Sequence, residues 1–419
     1  VLVKKKVILA LILVVIFIFV NNKEKELNVL ETKELNNNTL SMMLETSAGT
    51  GEYQEVTASS WPAEGYTFNE NLSKCENGSS LNWDNIKKIV VMSGNLSDKC
   101  YVYFDKEPDT LANYIKSQYT GTQGENNLYL HDSTLENGAR DNSYRFAGPS
   151  ETTNNFVCFG YDSKDGSCPT DYLYRIIGVF GDEVKLIKYD YAKSTLLGTD
   201  GDYLYTYKDY EGYSNYGTNK GQNSKEEIGA YYWNRKGPII WSGSQLNTVN
   251  LNKNYINEID KNVTKWSGKI SDHEWKFGGN TYANIITQTA PNVYQNEINN
   301  SDQSKTVNAK VGLMYVSDYM YAVPQNKWTL YGYNNNDSMD YRAAVAVNWM
   351  YMGLFEWTLA PRTDNRSEAL KAFYIRDFGV VNDCCVSQNE LAVRPVFYLK
   401  PEITYTGGSG TISSPYILE

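Results

Sequence analysis

Four tyrosines recur at every third position, Tyr207, Tyr210, Tyr213 and Tyr216, in a segment otherwise made of Lys, Asp, Glu, Gly, Ser and Asn. Rings set among polar neighbours offer flat faces to a sugar or a peptide, so these four form the candidate ligand-binding surface. The plainer reading is a covering loop whose rings pack on a sheet. Six cysteines are the second group: Cys75, Cys100, Cys158, Cys168, Cys384 and Cys385. Local economy pairs Cys75 with Cys100 and Cys158 with Cys168, each closure stabilising by about 2–4 kcal/mol. The adjacent Cys384 and Cys385 fit a redox element, a structural pair or two thiols, and the sequence leaves that open. Asp318 and Glu356 stand beside aromatics, and paired carboxylates can do acid–base work. No spacing marks them as such a pair. A structural role fits better, either satisfying loop backbone or meeting Arg394 in a buried ion pair.

Other chemistry is excluded by what is missing. Asn334, Asn336, Ser338 and Asp340 alternate oxygen ligands as an EF-hand loop begins, but Met339 replaces the needed Gly and Val345 the bidentate Glu. That motif is rejected, and only a calcium site of looser geometry stays open as a cofactor. With two His residues, His131 and His273, a histidine-rich metal site or a His-dependent triad is not expected. The cysteine spacings are not those of zinc sites, and there is no phosphate loop, Gly-x-Ser-x-Gly or His-Glu-x-x-His. A net charge of −10 and a pI near 5.0 exclude a nucleic-acid partner, which demands a basic face. The 35 Tyr are spread along the chain, which fits the codon bias of an AT-rich genome better than one dedicated surface.

The elements that position these residues begin with an export signal. Lys4, Lys5 and Lys6 precede an unbroken apolar run at 7–20. At ~1.5 Å per residue the run spans roughly 21 Å, short of a ~30 Å hydrocarbon core. Length favours a signal peptide, whereas bulky Phe17, Ile18, Phe19 and Val20 deny it a cleavage site. An uncleaved signal anchor, with the membrane as partner through residues 4–20, is preferred. Either way the rest of the chain lies outside the cell, anchored in the cell membrane by a single pass or, if cleaved, secreted.

Residues 1–22 are thus the anchor or signal peptide, and 23–40 read as a polar stalk. A small β-sandwich-like spacer is expected at 41–106, with strands at 89–93 and 100–104 joined by Gly94-Asn95-Leu96-Ser97-Asp98. Residues 107–139 read as a linker containing a short helix at 110–117, and the main domain runs over 140–419. Within it, strands at 173–180 and 183–189 flank Gly181-Asp182 as a tight hairpin. Val184 and Leu186 point to one face and Glu183 and Lys185 to the other. Ile187 breaks the alternation, which indicates that the polar face is partly covered. The best helix is expected at 244–266, and later strands at 311–316, 355–359, 372–375 and 391–399. Trp349 and Trp357 read as core.

The segments Leu173-Tyr174-Arg175-Ile176-Ile177-Gly178-Val179-Phe180, Gly312-Leu313-Met314-Tyr315-Val316-Ser317-Asp318-Tyr319, Glu356-Trp357-Thr358 and Val393-Arg394-Pro395-Val396-Phe397-Tyr398-Leu399 carry a resemblance. The region 140–419 resembles uncharacterised exported surface proteins of Firmicutes and Mollicutes-type bacteria. Their C-terminal domain is similar to the formylglycine-generating-enzyme-like branch of the C-type-lectin fold. The resemblance implies an α+β, β-rich fold with a twisted antiparallel sheet and long display loops. Enzymes of that branch use spaced late cysteines to bind copper, and the adjacent Cys384-Cys385 lack that spacing, so the scaffold is expected without the oxidase chemistry. The expectation is a membrane-anchored extracellular binding or adhesion module for a glycan, a surface protein or a cell-wall component. The alternatives are a thiol/redox enzyme using Cys384-Cys385 and a structural envelope subunit.

Overall fold

The computed structural model describes residues 17–19, 28–30, 40–56, 65–95, 97–162, 167–207, 223, 225–236, 240–261, 265–299, 305–332, 344–363, 371–387 and 390–419. They fall into two units, Val1–Asp109 and Thr110–Glu419. The structure is mixed α+β with strands dominating. Most of the expected membrane segment lies outside the described residues. Its Phe17–Phe19 is extended and pairs antiparallel with Asn28–Leu30. Among the described residues no helix is long and apolar enough to cross a membrane.

In the first unit, alternate burial along Cys100–Lys106 marks a strand with one covered face, and Leu40–Glu45 lies beside it. These two run parallel, with Tyr53–Val56 added on one side and Tyr66–Phe68 and Lys74–Cys75 on the other. Ile89–Ser93 forms a hairpin with Ser80–Asp84, not with Cys100–Lys106. Residues 94–99 therefore carry the chain from one sheet to another, where the sequence reads as a turn joining neighbours. Buried Asp98 fixes that crossing by accepting hydrogen bonds from Asn77 N (2.8 Å) and Ser79 N (3.0 Å). Met42, Val90, Val102 and Phe104 form the core, and the Cys75–Cys100 disulfide closes it beside Met92.

The second unit is built on an antiparallel sheet ordered Leu128–Leu130, Tyr144–Phe146, Leu173–Phe180, Glu183–Lys188, Val396–Leu399, Val311–Gly312. Phe156–Cys158 also pairs with Leu173–Phe180 and carries the Cys158–Cys168 disulfide. The expected hairpin is present: Phe180 pairs with Glu183 across a two-residue turn whose first position, Gly181, has φ +62°. The stretch read as a linker supplies the edge strand Leu128–Leu130 and buries Leu128, His131, Leu135 and Ala139. The helix Leu111–Ser117 is capped by Thr110, whose hydroxyl accepts from Asn113 N. Residues 246–259 are helical, with wide π-type turns over Leu246–Tyr255.

Two expected strands are cut short by tertiary contacts. After Val311–Gly312 the chain turns into the helix Val316–Tyr321, because the Glu297 carboxylate accepts from Val316 N and Ser317 N and Asp318 accepts from Tyr315 N. Likewise 391–399 divides into Glu390–Leu391 and Val396–Leu399 around Pro395. Trp349 and Trp357 are core, each donating its indole N–H to a carbonyl, Phe146 O and Tyr231 O.

Candidate functional site

Alternation along Glu183–Lys188 sends Glu183 and Lys185 to one face of the sheet, and that face walls a cavity of about 400 Å³. The register explains the arrangement. Arg145 pairs with Gly178, Gly178 with Lys185, and Lys185 with Tyr398, a row across four strands. Glycine in the middle of the row is a steric requirement. A Cβ at Gly178 would lie 2.3 Å from Tyr144 O and 3.3 Å from Arg145 Cγ. Without it the Arg145 stem crosses the sheet freely. Phe180, His273, Lys276, Tyr294, Tyr315 and Asp318 complete the walls, and Glu183 and Glu274 stand at the rim.

The cavity floor is charged and buried. Lys185, 1% exposed, donates to Asp318 Oδ2 at 2.6 Å, and its ammonium lies 4.5 Å from the Tyr315 ring centroid and 5.3 Å from that of Tyr398. Burial pulls the Lys185 pKa down, and Asp318 only partly restores it. Arg145, 2% exposed, donates through Nη2 to Asp141 Oδ2 (2.5 Å) and through Nε to Ser143 Oγ (2.8 Å). Its face lies against Phe180, Tyr294 and Tyr321. Its Nη1, 4.0 Å from Asp318 Oδ1, finds no hydrogen-bond acceptor among the described residues. A buried donor in that state is costly unless a partner arrives.

The supporting shell is equally specific. Burial raises the Asp141 pKa, but Arg145 and hydrogen bonds from Ser143 and Tyr294 outweigh it and hold the carboxyl below its ordinary value. Asp141 sits between Arg140 and Asn142, both at positive φ, so the loop holding the Arg145 partner is locally strained. Glu297, behind Asp318, is pushed up to about 7 by burial. The His273 ring stacks on Tyr398 at 3.8 Å between centroids. Burial first, then Lys185, lower its pKa to about 4, outweighing Glu183 at 3.8 Å, so the ring is neutral at pH 7.

The residues singled out from sequence are distributed elsewhere, Asp318 excepted. Tyr207 is 2% exposed, packs with Tyr189, Tyr191 and Ile228, donates to Phe355 O and accepts from Ala392 N. Tyr210, Tyr213 and Tyr216 lie outside the described residues, as do Asn334, Asn336, Ser338 and Asp340. Among the described residues no group of three His, Cys, Asp or Glu side chains is placed to hold a metal. Cys384 and Cys385 are consecutive on the strand Val381–Cys385, paired with Ala372 and Lys371. Consecutive strand residues point to opposite faces. Glu356 accepts from Arg394 through both oxygens, at 2.7 and 2.8 Å, and is apart from Asp318. Sequence reasoning missed Arg145, Lys185, His273, Tyr294, Tyr315 and Tyr398. The readable signal was Ile187 on the same face as Lys185, which marks that face as covered and its lysine as buried. In comparisons with known proteins, no family model, curated protein or solved structure matches this chain.

Proposed function

We propose that this chain is an exported bacterial surface protein, held to the membrane by residues 4–20, that binds a small polar ligand outside the cell without transforming it. On this reading residues 41–106 are a β-sandwich-like spacer and residues 140–419 a C-type-lectin-like binding domain. The observation that carries the binding role is the cavity of about 400 Å³, with aromatic walls over a buried charged floor of Arg145, Lys185 and Asp318. Small-molecule sites combine a mostly apolar concavity with a few convergent polar groups. The two carboxylates with catalytic potential support a non-catalytic role, since Asp318 is tied to Lys185 and Glu356 to Arg394. The opposed directions of Cys384 and Cys385 on one strand weigh against a vicinal redox pair. The two disulfides fit an oxidising compartment.

Thermal melting of the full chain against glycans, amino acids and short peptides tests the binding role. A ligand at about 100 times its Kd adds about 2.7 kcal/mol, a shift of several degrees. Binding that survives closure of the cavity by Lys276→Trp, or no shift with any compound class, ends this assignment of the site.

A further inference from the structure

We propose that Lys185 and Asp318 condense within the folded chain into a side-chain amide, a covalent tie between the strand Glu183–Lys188 and the helix Val316–Tyr321. The two side chains are 1% and 2% exposed, and Lys185 Nζ lies 2.6 Å from Asp318 Oδ2. That contact sets the nitrogen about 3–3.5 Å from the carboxyl carbon, the separation of a near-attack pair. Both partners are held in place. Lys185 stands in the sheet between Gly178 and Tyr398, and Asp318 is fixed at the start of its helix, where Oδ2 also accepts from Tyr315 N at 2.9 Å. Groups fixed in this way react as though at about 10⁵–10⁸ M.

The surroundings favour the reactive forms. The rings of Phe180, Trp275, Tyr315 and Tyr398 lie 4.5–5.8 Å from the Lys185 nitrogen. Burial among them favours the neutral amine. Passing one proton from Lys185 to Asp318 Oδ2 replaces two buried ions by an amine and an acid, with no change in net charge. The amine then attacks Cγ of Asp318. As the C–N bond forms, negative charge collects on Oδ1, which is 4.0 Å from Arg145 Nη1, a cationic donor with no acceptor among the described residues. The bond from Cγ to Oδ2 then breaks. Of the three hydrogens on the ammonium, one stays on the amide and two leave with Oδ2 as water. Nothing is oxidised or reduced, and no co-reactant enters. Both residues line the cavity, which gives the water a way out. The bond is independent of what the cavity binds. It turns two opposite charges into one neutral amide and leaves Arg145 with Asp141.

Mass spectrometry of the full chain, reduced and denatured, tests the bond. The majority species is expected to be one water lighter than the sequence mass counted from its observed N-terminus. Digestion should release a branched peptide that joins Lys185 to Asp318. In Lys185→Arg the charge remains, but a guanidinium stays protonated and does not condense, so this variant should show the full sequence mass. The native chain should also run ahead of the variant on a reducing denaturing gel, because the bond closes a loop between residues 133 apart. The mass is read on the native chain, so the result holds whether or not Lys185→Arg folds.

A folded native chain that keeps its full sequence mass after prolonged incubation leaves Lys185 and Asp318 an ion pair and overturns the proposal. A water deficit that persists in Lys185→Arg, or that maps to an aspartyl succinimide elsewhere in the chain, overturns it equally.

Discussion

Arg394 and Glu356 bring opposite charges into the interior, with side chains only 1% and 3% exposed, and join through two parallel hydrogen bonds. Removing one partner strands the other, and a lone buried charge costs about 3–5 kcal/mol. Glu356→Ala is therefore expected to lower the melting temperature by several degrees. Glu356→Leu with Arg394→Met should recover most of the loss, because the pair is then replaced by apolar volume. A double variant no more stable than the single one would place the cost in packing. Both histidines give a residue-scale pH dependence. Burial, and then Arg145, hold the His131 pKa well below 6.5, and His273 is lowered to about 4. In the unfolded chain each titrates near 6.5. The unfolded state thus binds more protons below that pH, so stability is full above about 6.5 and falls as pH drops. Urea midpoints between pH 7 and pH 4 should show this decline, with a shallower slope in His273→Gln. An unaltered slope in that variant would remove His273 from the account. The Glu356–Arg394 pair was among the options legible in sequence. The Lys185–Asp318 contact was not, because its partners are 133 residues apart and no local pattern joins them.

The hairpin Leu173–Phe180 with Glu183–Lys188 is legible because everything that fixes it is local: alternation, β-branched residues and a Gly-Asp turn. What it holds is not, because Arg145 arrives from a neighbouring strand and depends on Gly178 for room. Gly178→Ala puts a methyl 2.3 Å from Tyr144 O, so the strand Tyr144–Phe146 must shift. The expected cost is about 1–3 kcal/mol, with Arg145 re-aimed and ligand affinity reduced in step. A variant of native stability and affinity would show that the row tolerates a side chain there. The helix Val316–Tyr321 was hidden for a related reason. Its β-branched start reads as a strand, and Glu297 supplies the cap from outside the segment. In the first unit, Cys75 and Cys100 are close enough in sequence for pairing to be read from economy. Cys75→Ser with Cys100→Ser should destabilise that unit by about 2–4 kcal/mol. Calorimetry should show its transition move while that of Thr110–Glu419 stays, and movement of both would couple the two.

At the scale of the molecule, topology was the least legible feature. The main sheet puts Val396–Leu399 between Glu183–Lys188 and Val311–Gly312, so its order follows from contacts across most of the unit. The segment 121–139 reads as a linker because its apolar residues are sparse, yet Leu128, Tyr129, Leu135 and Ala139 are buried. The proposed anchor, by contrast, rests wholly on sequence: three lysines, then an apolar run at 7–20 that is short for a span and ends in bulky residues where a cleavage site needs small ones. These properties predict opposite fractionation outcomes for two chains. The full chain should stay with membranes through alkaline carbonate, because burying ~14 apolar side chains in lipid outweighs the loss of peripheral charge contacts. A chain lacking residues 1–22 and exported by a separate cleavable signal should be released with both Cys75–Cys100 and Cys158–Cys168 closed, since neither disulfide involves the removed segment. Carbonate release of the full chain, with residues 1–22 absent from its mass, would make the segment a cleaved signal. Release with the segment intact would mean that it does not enter the bilayer.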